Sequence, residues 1–296
     1  MAFRPPIRIA SGGSPSGNTL GIIYGMNSAS MAVLGSLISL VGLNILDNST
    51  VALSLSLFLS ALISLPIVLY TGSLINLLTR KYVFTIGVFI ALSGNLTFML
   101  DTPMAFVLAN ACRMAGGGLM FMCISLYTMD FTPRKQLARA ESRKFLFAGI
   151  SWLIFPFVGT WMWVNVDHKA PFLLSITLIS ILIVIFWWLR ISEAQNIKPP
   201  KSGNLDFIKN VRTYFGNPHM RVAYLIAVAR SSSWVVFFTY GPIYLRDAGI
   251  STQWIGLFMG GIMAVLLLSS RFAAIAQYIG IRKTILLSFS MAGISM

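Results

Sequence analysis

Apolar runs of about 20 residues recur along nearly the whole chain, and each is long enough to cross a hydrocarbon core roughly 30 Å thick at a helical rise of about 1.5 Å per residue. Runs of this length read as spans at 19–44, 49–70, 82–100, 104–128, 145–166, 170–190, 222–245 and 253–271, and a ninth starts at Thr284 and reaches Met296. Backbone in lipid has to satisfy its own hydrogen bonds, so a chain built this way folds as α-helices packed on one another. Only 10% of the 296 residues are charged, against about a quarter in soluble domains, which excludes a soluble fold. The expected class is an all-α polytopic membrane protein whose first partner is the lipid bilayer.

The formal charge of +14 suggests nucleic acid until the basic residues are placed. With the N-terminus in the cytoplasm, all of the 22 Lys and Arg fall in cytoplasmic segments except Lys169 and Arg246 outside and Arg113 and Arg230 within spans. The positive-inside rule accounts for the charge, supports an N-terminus-in orientation, and leaves no need for a nucleic-acid partner. The expected location is the plasma (inner) membrane. Cys112 and Cys123 lie in one apolar segment and read as small buried hydrophobes, and no metal or cofactor motif is present.

Four regions follow. Residues 1–18 form a flexible cytoplasmic tail, 19–190 a six-helix N-terminal bundle, 191–221 a cytoplasmic central loop, and 222–296 the start of a C-terminal bundle. The loop opens with "KPPKSG", and Leu205, Ile208, Val211 and Phe215 then recur at helical spacing, as in an amphipathic helix on the inner membrane surface.

Between the second and third spans stands "TGSLINLLTRKY", and "AAIAQYIGIRKT" occupies the same place about 200 residues later. Placing Gly72 on Ala273 puts Asn76 on Gln277 and Lys81 on Arg282, as in an internally repeated transporter. Gly72 would let helix backbones approach closely, while Arg80 and Lys81 would hold the turn at the cytoplasmic surface. A tight basic loop with no moving role is the alternative.

With these residues in view, the chain resembles the major facilitator superfamily. That family's turn between helices two and three is matched by Gly72, Leu74, Asn76, Thr79, Arg80 and Lys81. Its fourth-helix Arg and glycine run is similar to "CRMAGGGLMF" from Arg113, and the following loop matches through Asp130, Pro133 and Arg139. The fifth span keeps Gly149, Pro156 and Gly159 of a glycine–proline motif, and "FTYGPIYLRDAGISTQWIGLFMG" looks like helices seven and eight. The resemblance covers nearly the whole chain. It implies a secondary transporter of a small solute that works by alternating access between two helical bundles, with the repeated turn as a conformational latch. Members resembled here have twelve helices, so the chain is expected to be C-terminally incomplete, with helices 7, 8 and part of 9 in its second bundle. The signature Asp is an amide in both copies, Asn76 and Gln277, so the charged relay it joins in the family is not implied here.

Arg113 is the sharpest candidate for the solute cavity. A central Arg costs about 2.5–3.5 kcal/mol on insertion scales, so it faces water or a partner. Asn110 and Gly117 share its helix face. A substrate contact and a structural Arg bonded to carbonyls of neighbouring helices are equal alternatives. Arg230 falls in the seventh span, and the two cations together suggest an anionic solute or an acidic partner, with snorkelling of Arg230 as the alternative. Tyr24 and Asn27, three apart in the first span, are further cavity candidates, though small polar groups also glue membrane helices. No acid falls mid-membrane, and His168 and His219 are in loops. Proton coupling is therefore absent, sited in helices beyond this chain, or replaced by another coupling ion. An enzyme has little to build with here. A non-transporting receptor or assembly factor on the same fold is the remaining rival.

Overall fold

The computed structural model describes residues 17–133, 136–189 and 207–295. The tail as far as Ser16, Arg134 and Lys135, and the linker 190–206 lie outside the described residues. Eight stretches are long and apolar enough to cross a membrane, at Gly17–Ile45, Thr50–Leu69, Thr71–Leu100, Pro103–Phe131, Leu137–Asn165, Ala170–Trp188, Pro218–Asp247 and Thr252–Ile279. The helices are α1 (Gly17–Ala32), α2 (Leu37–Ile45), α3 (Thr50–Leu69), α4 (Thr71–Thr97), α5 (Pro103–Phe131), α6 (Leu137–Asn165), α7 (Ala170–Trp188), α8 (Phe207–Gly216), α9 (Pro218–Asp247), α10 (Thr252–Ile262), α11 (Ser269–Ile279) and α12 (Ile281–Ser295). No strand occurs among the described residues. The protein is an all-α polytopic membrane protein.

The short joins have local causes. Asp47, Asn48 and Asp101 adopt left-handed backbone, which Asp and Asn tolerate better than most residues, and so turn the chain sharply. Ser49 Oγ then accepts from Ala52 N at 3.2 Å and Thr102 Oγ1 from Ala105 N at 3.2 Å, capping α3 and α5. Asn217 caps α9 in the same way, accepting from His219 N at 2.9 Å, with Pro218 at the first helical position.

Helix α5 is the hub of the first six spans, touching α1, α3 and α4. Its glycine run explains how. A Cβ on Gly116 would strike the Gly87 carbonyl of α4, one on Gly117 the Met31 side chain of α1, and one on Gly118 would come 2.8 Å from Val68 of α3. Three consecutive glycines therefore admit three neighbours on three sides, where van der Waals contact substitutes for a hydrophobic drive that lipid does not supply.

The first span is broken. Gly35 N donates to the Ala32 carbonyl at 2.9 Å, tightening the chain between α1 and α2. The loosened carbonyls find side chains, with Ser175 Oγ of α7 donating to Ser30 O at 2.8 Å and Asn95 Nδ2 of α4 donating to Ser175 Oγ at 3.0 Å.

Helix α6 runs along α1 on one side and along α10 on the other. The seam with α10 is close. A Cβ on Gly256 would overlap Thr160 Oγ1 and the Pro156 carbonyl, and one on Gly260 would lie 2.5 Å from the Leu153 carbonyl. Buried Thr160 Oγ1 stands 3.0 Å from the carbonyls of Pro156 and Phe157 and 3.3 Å from that of Gln253. Helix α9 meets α2 but contributes only Pro242 and Ile243 to the buried interior.

A graded test follows from this seam. A Cβ on Gly261 meets nothing within 4 Å, five residues along the same span. Gly256→Val is expected to destabilise the detergent-purified protein by about 1–3 kcal/mol. Gly261→Val is expected to stay within about 1 kcal/mol of wild type, which thermal unfolding of the pair would check.

Candidate functional site

Arg113 is buried on α5, and its Nη2 donates to the Met31 carbonyl of α1 at 2.7 Å. Gly35 N has turned to Ala32, so Met31 O is free for the guanidinium. A hydrogen bond to a charged donor is worth about 1.5–3 kcal/mol, close to the insertion penalty of a central Arg. Arg113 thus makes a contact of the structural kind, to a carbonyl of a neighbouring helix. Its Nε has no partner in the interior. Asn110 is buried beside it and donates to Met114 Sδ at 3.7 Å, while Gly117 receives the Met31 side chain. Arg113, Asn110 and Gly117 therefore form one patch, against the broken segment of span one.

Tyr24 and Asn27 belong to a different cluster, nearer the Gly17 end of the bundle. Tyr24 packs against Phe121 of α5 at 5.8 Å and Phe145 of α6 at 6.3 Å between ring centroids. The Lys144 ammonium stands 5.4 Å from its ring. Asn27 is buried and its Oδ1 has no partner. Arg230 is exposed on α9 and lies within Coulombic reach of Tyr24, as does Glu141.

Lys144 and Glu141 correct the sequence reading, which left both in a cytoplasmic loop before a span starting at 145. Helix α6 starts at Leu137, so both are helical, three apart, and paired at 2.8 Å. Lys144 is buried, its side chain only 3% exposed. Arg139 and Arg143 nearby in sequence are basic as well, and positive-inside charge hides a buried lysine in such company. The periodicity of Ala140, Lys144, Ala148 and Ser151 on one buried face was the signal that could have found it.

The repeated turn is narrower than the sequence suggests. Helix continues from Thr71 through Leu78, and the break is one residue, Thr79, at φ 67° and ψ 154°. In the second copy it is again one residue, Gly280, at φ 90° and ψ 145°. The offset that places Gly72 on Ala273 places Thr79 on Gly280, so the same backbone kink stands at the same point of both copies. Gly72 is a correction. A Cβ there meets nothing within 4 Å, so it serves no close helix approach in this structure. Arg80 pairs with Asp130 at the end of α5 and lies 6.0 Å from the Tyr127 ring. The Lys81 ammonium stands 3.7 Å over the Trp187 ring of α7. These contacts bind the turn to α5 and α7. Asn76, Gln277 and Arg282 are exposed.

Between the two clusters and the Asp47 end lies an aromatic group. Trp152 of α6 meets Trp234 of α9 edge-on at 6.1 Å and Phe238 at 4.9 Å, and Trp234 stacks on Phe238 at 4.9 Å. Beyond it α9 is tied to the first spans by polar contacts. Ser39 Oγ donates to Phe238 O at 3.5 Å, Ser54 Oγ and Tyr240 Oη are 2.8 Å apart, and Arg246 Nη1 donates to Asn48 Oδ1 at 3.2 Å. On the other side of Trp234, from Pro218 to Ser233, every residue of α9 is exposed except half-buried Ile226.

The described residues thus form a bundle of membrane-crossing helices with the same backbone kink in two copies of one turn. The family model of the Major Facilitator Superfamily matches residues 20–296, and the chain belongs to that superfamily. It is an integral membrane protein that takes a small solute across the lipid bilayer. No curated protein matches the chain.

The kink yields a test. Thr79 occupies backbone that is almost exclusive to glycine, at a cost of about 1–3 kcal/mol. Thr79→Gly is expected to raise the unfolding temperature by a few degrees, and Gly280→Thr to lower it. Gly72→Ala is expected to stay within about 0.5 kcal/mol of wild type.

Proposed function

We propose that the chain is a transporter of a small anionic solute that works by alternating access, with its N-terminus in the cytoplasm and the plasma (inner) membrane as its site. Residues 19–190 act as one moving unit and 222–296 belong to the other, with 191–221 as the cytoplasmic connection. The observation that carries this reading is the asymmetry of α9. From Trp234 to Arg246 it is tied to the first spans, and from Pro218 to Ser233 it stands clear of them. With the Gly17 end in the cytoplasm, this is an inward-facing arrangement, closed outside and open within.

The charge balance on the open side supports an anion. The Lys144 ammonium stands 5.4 Å from the Tyr24 ring, and exposed Arg230 and the Glu141 carboxylate lie within Coulombic reach of it. Lys144 is buried and paired with Glu141 at 2.8 Å, and an anion on the open side would add to that balance. Arg113 supports the site from below by holding the Met31 carbonyl. Thr79 and Gly280 give each unit one matching kink.

In proteoliposomes holding the full chain, uptake of an accepted anion is expected to fall at least tenfold in Arg230→Gln and in Lys144→Gln, while both variants keep wild-type folding by circular dichroism. Wild-type uptake by both would remove the anionic reading. Flux no higher than in empty vesicles for every anion tried would favour a non-transporting receptor. Orientation is checked separately in a cysteine-free background. Ser251→Cys is expected to react with a membrane-impermeant maleimide in intact cells, and Thr79→Cys only after permeabilisation.

A further inference from the structure

We infer that the solute is an amphipathic organic anion carrying a flat ring, its charge between Lys144 and Arg230 and its ring against Trp234, Trp152 and Phe238. This rests on the anionic reading above and adds the apolar half of the molecule.

Arg230 and Trp234 are four residues apart on α9 and so share a face, with about 6 Å of rise between them. That is a distance covered by a carboxylate joined directly to one or two rings. Across the open space, Phe145 and Trp152 are seven residues apart on α6 and share a face in the same way. Phe145 meets Tyr24, whose ring lies under Lys144, and Trp152 meets Trp234. Both helices therefore run from a basic residue toward the Gly17 end, Lys144 or Arg230, to an indole toward the Asp47 end, Trp152 or Trp234.

The indoles are held in place. Trp152 packs on Gly35 so closely that a Cβ there would lie 2.6 Å from its ring, and this fixes it at the break of span one. Trp234 is stacked on Phe238 and stays 37% exposed. An exposed indole edge at the closed end of a cationic space is a surface for another ring, which stacks or meets it edge-on. A small hydrated anion would leave that surface wet, and a neutral ring would leave Arg230 without a counter-charge. An anion with a ring meets both requirements, in the usual manner of a site that is mostly apolar with a few placed charges.

The test is equilibrium dialysis of the full chain in nanodiscs against 2-naphthoate, acetate and 2-naphthalenemethanol, with protein-free nanodiscs subtracted. Naphthoate is expected to bind saturably and at least tenfold more tightly than either partial analogue. Trp234→Leu is expected to weaken naphthoate roughly 2- to 12-fold and leave acetate unchanged, with Trp234→Phe between it and wild type. Arg230→Gln is expected to weaken naphthoate and acetate alike. Acetate binding as tightly as naphthoate, or naphthoate unaffected by Trp234→Leu, would overturn the ring placement and leave the anionic reading standing. Equal binding of naphthoate and the alcohol would overturn the anionic reading itself. Absence of saturable binding by all three would overturn both.

Discussion

The bond from Arg113 to the Met31 carbonyl is the contact on which much of the remaining structure depends. A helix broken inside a membrane exposes carbonyls that lipid cannot satisfy, and each one left bare costs several kcal/mol. Span one is broken between Ala32 and Leu37. Arg113 takes one of the loosened carbonyls and Ser175 another. Because these donors come from α5 and α7, the break also fixes how three spans sit relative to one another. It further makes room at Gly35 for Trp152. A charge that looks like a substrate ligand in sequence thus also works as a support for the broken span.

The second organising device is the pair of one-residue kinks. Thr79 and Gly280 share a backbone conformation that L side chains rarely adopt, at equivalent places in two weakly similar stretches. The sequence match between the copies is thin, a small residue, an amide and a basic residue. The backbone match is much closer, because a kink geometry is specified by where a helix has to stop and not by any one side chain. Thr79 tolerates the strain because the residues after it are anchored, Arg80 on Asp130 and Lys81 over Trp187. Such contacts keep the first copy against its own bundle.

The fold was legible where physics gives one answer. Apolar runs located all eight spans, with the third, fifth and eighth longer at one end than their runs, and the Asp, Asn, Ser and Thr clusters marked joins that turn out to be left-handed turns and caps. The larger misplacements came where helices run on past the hydrocarbon limit. Helix α6 starts at Leu137 and span eight reaches Ile279, since basic side chains at a helix end stay wet while the backbone continues helical. The candidate site was legible in part. Arg113, Asn110 and Gly117 lie together in the structure, since one helix face carries them. The burial of Lys144 was missed, because the small-residue stripe that carries it, with Ala140, Ala148 and Ser151, begins inside a run of basic residues that reads as loop.

What the sequence determined by itself is everything set by a residue's own chemistry against lipid and water. That includes the helical class, the span count, the positions of the joins, and the presence of cations that hydrocarbon does not tolerate uncompensated. What only the tertiary structure decided is partnership. Gly116, Gly117 and Gly118 face three different helices, Gly72 faces none, and Arg113 meets a carbonyl from a helix 82 residues away in sequence. Lys144 and Tyr24, far apart in the chain, come together as cation and ring. Composition and periodicity describe one helix at a time, whereas a cavity is made of faces from several, and which faces meet is settled by packing.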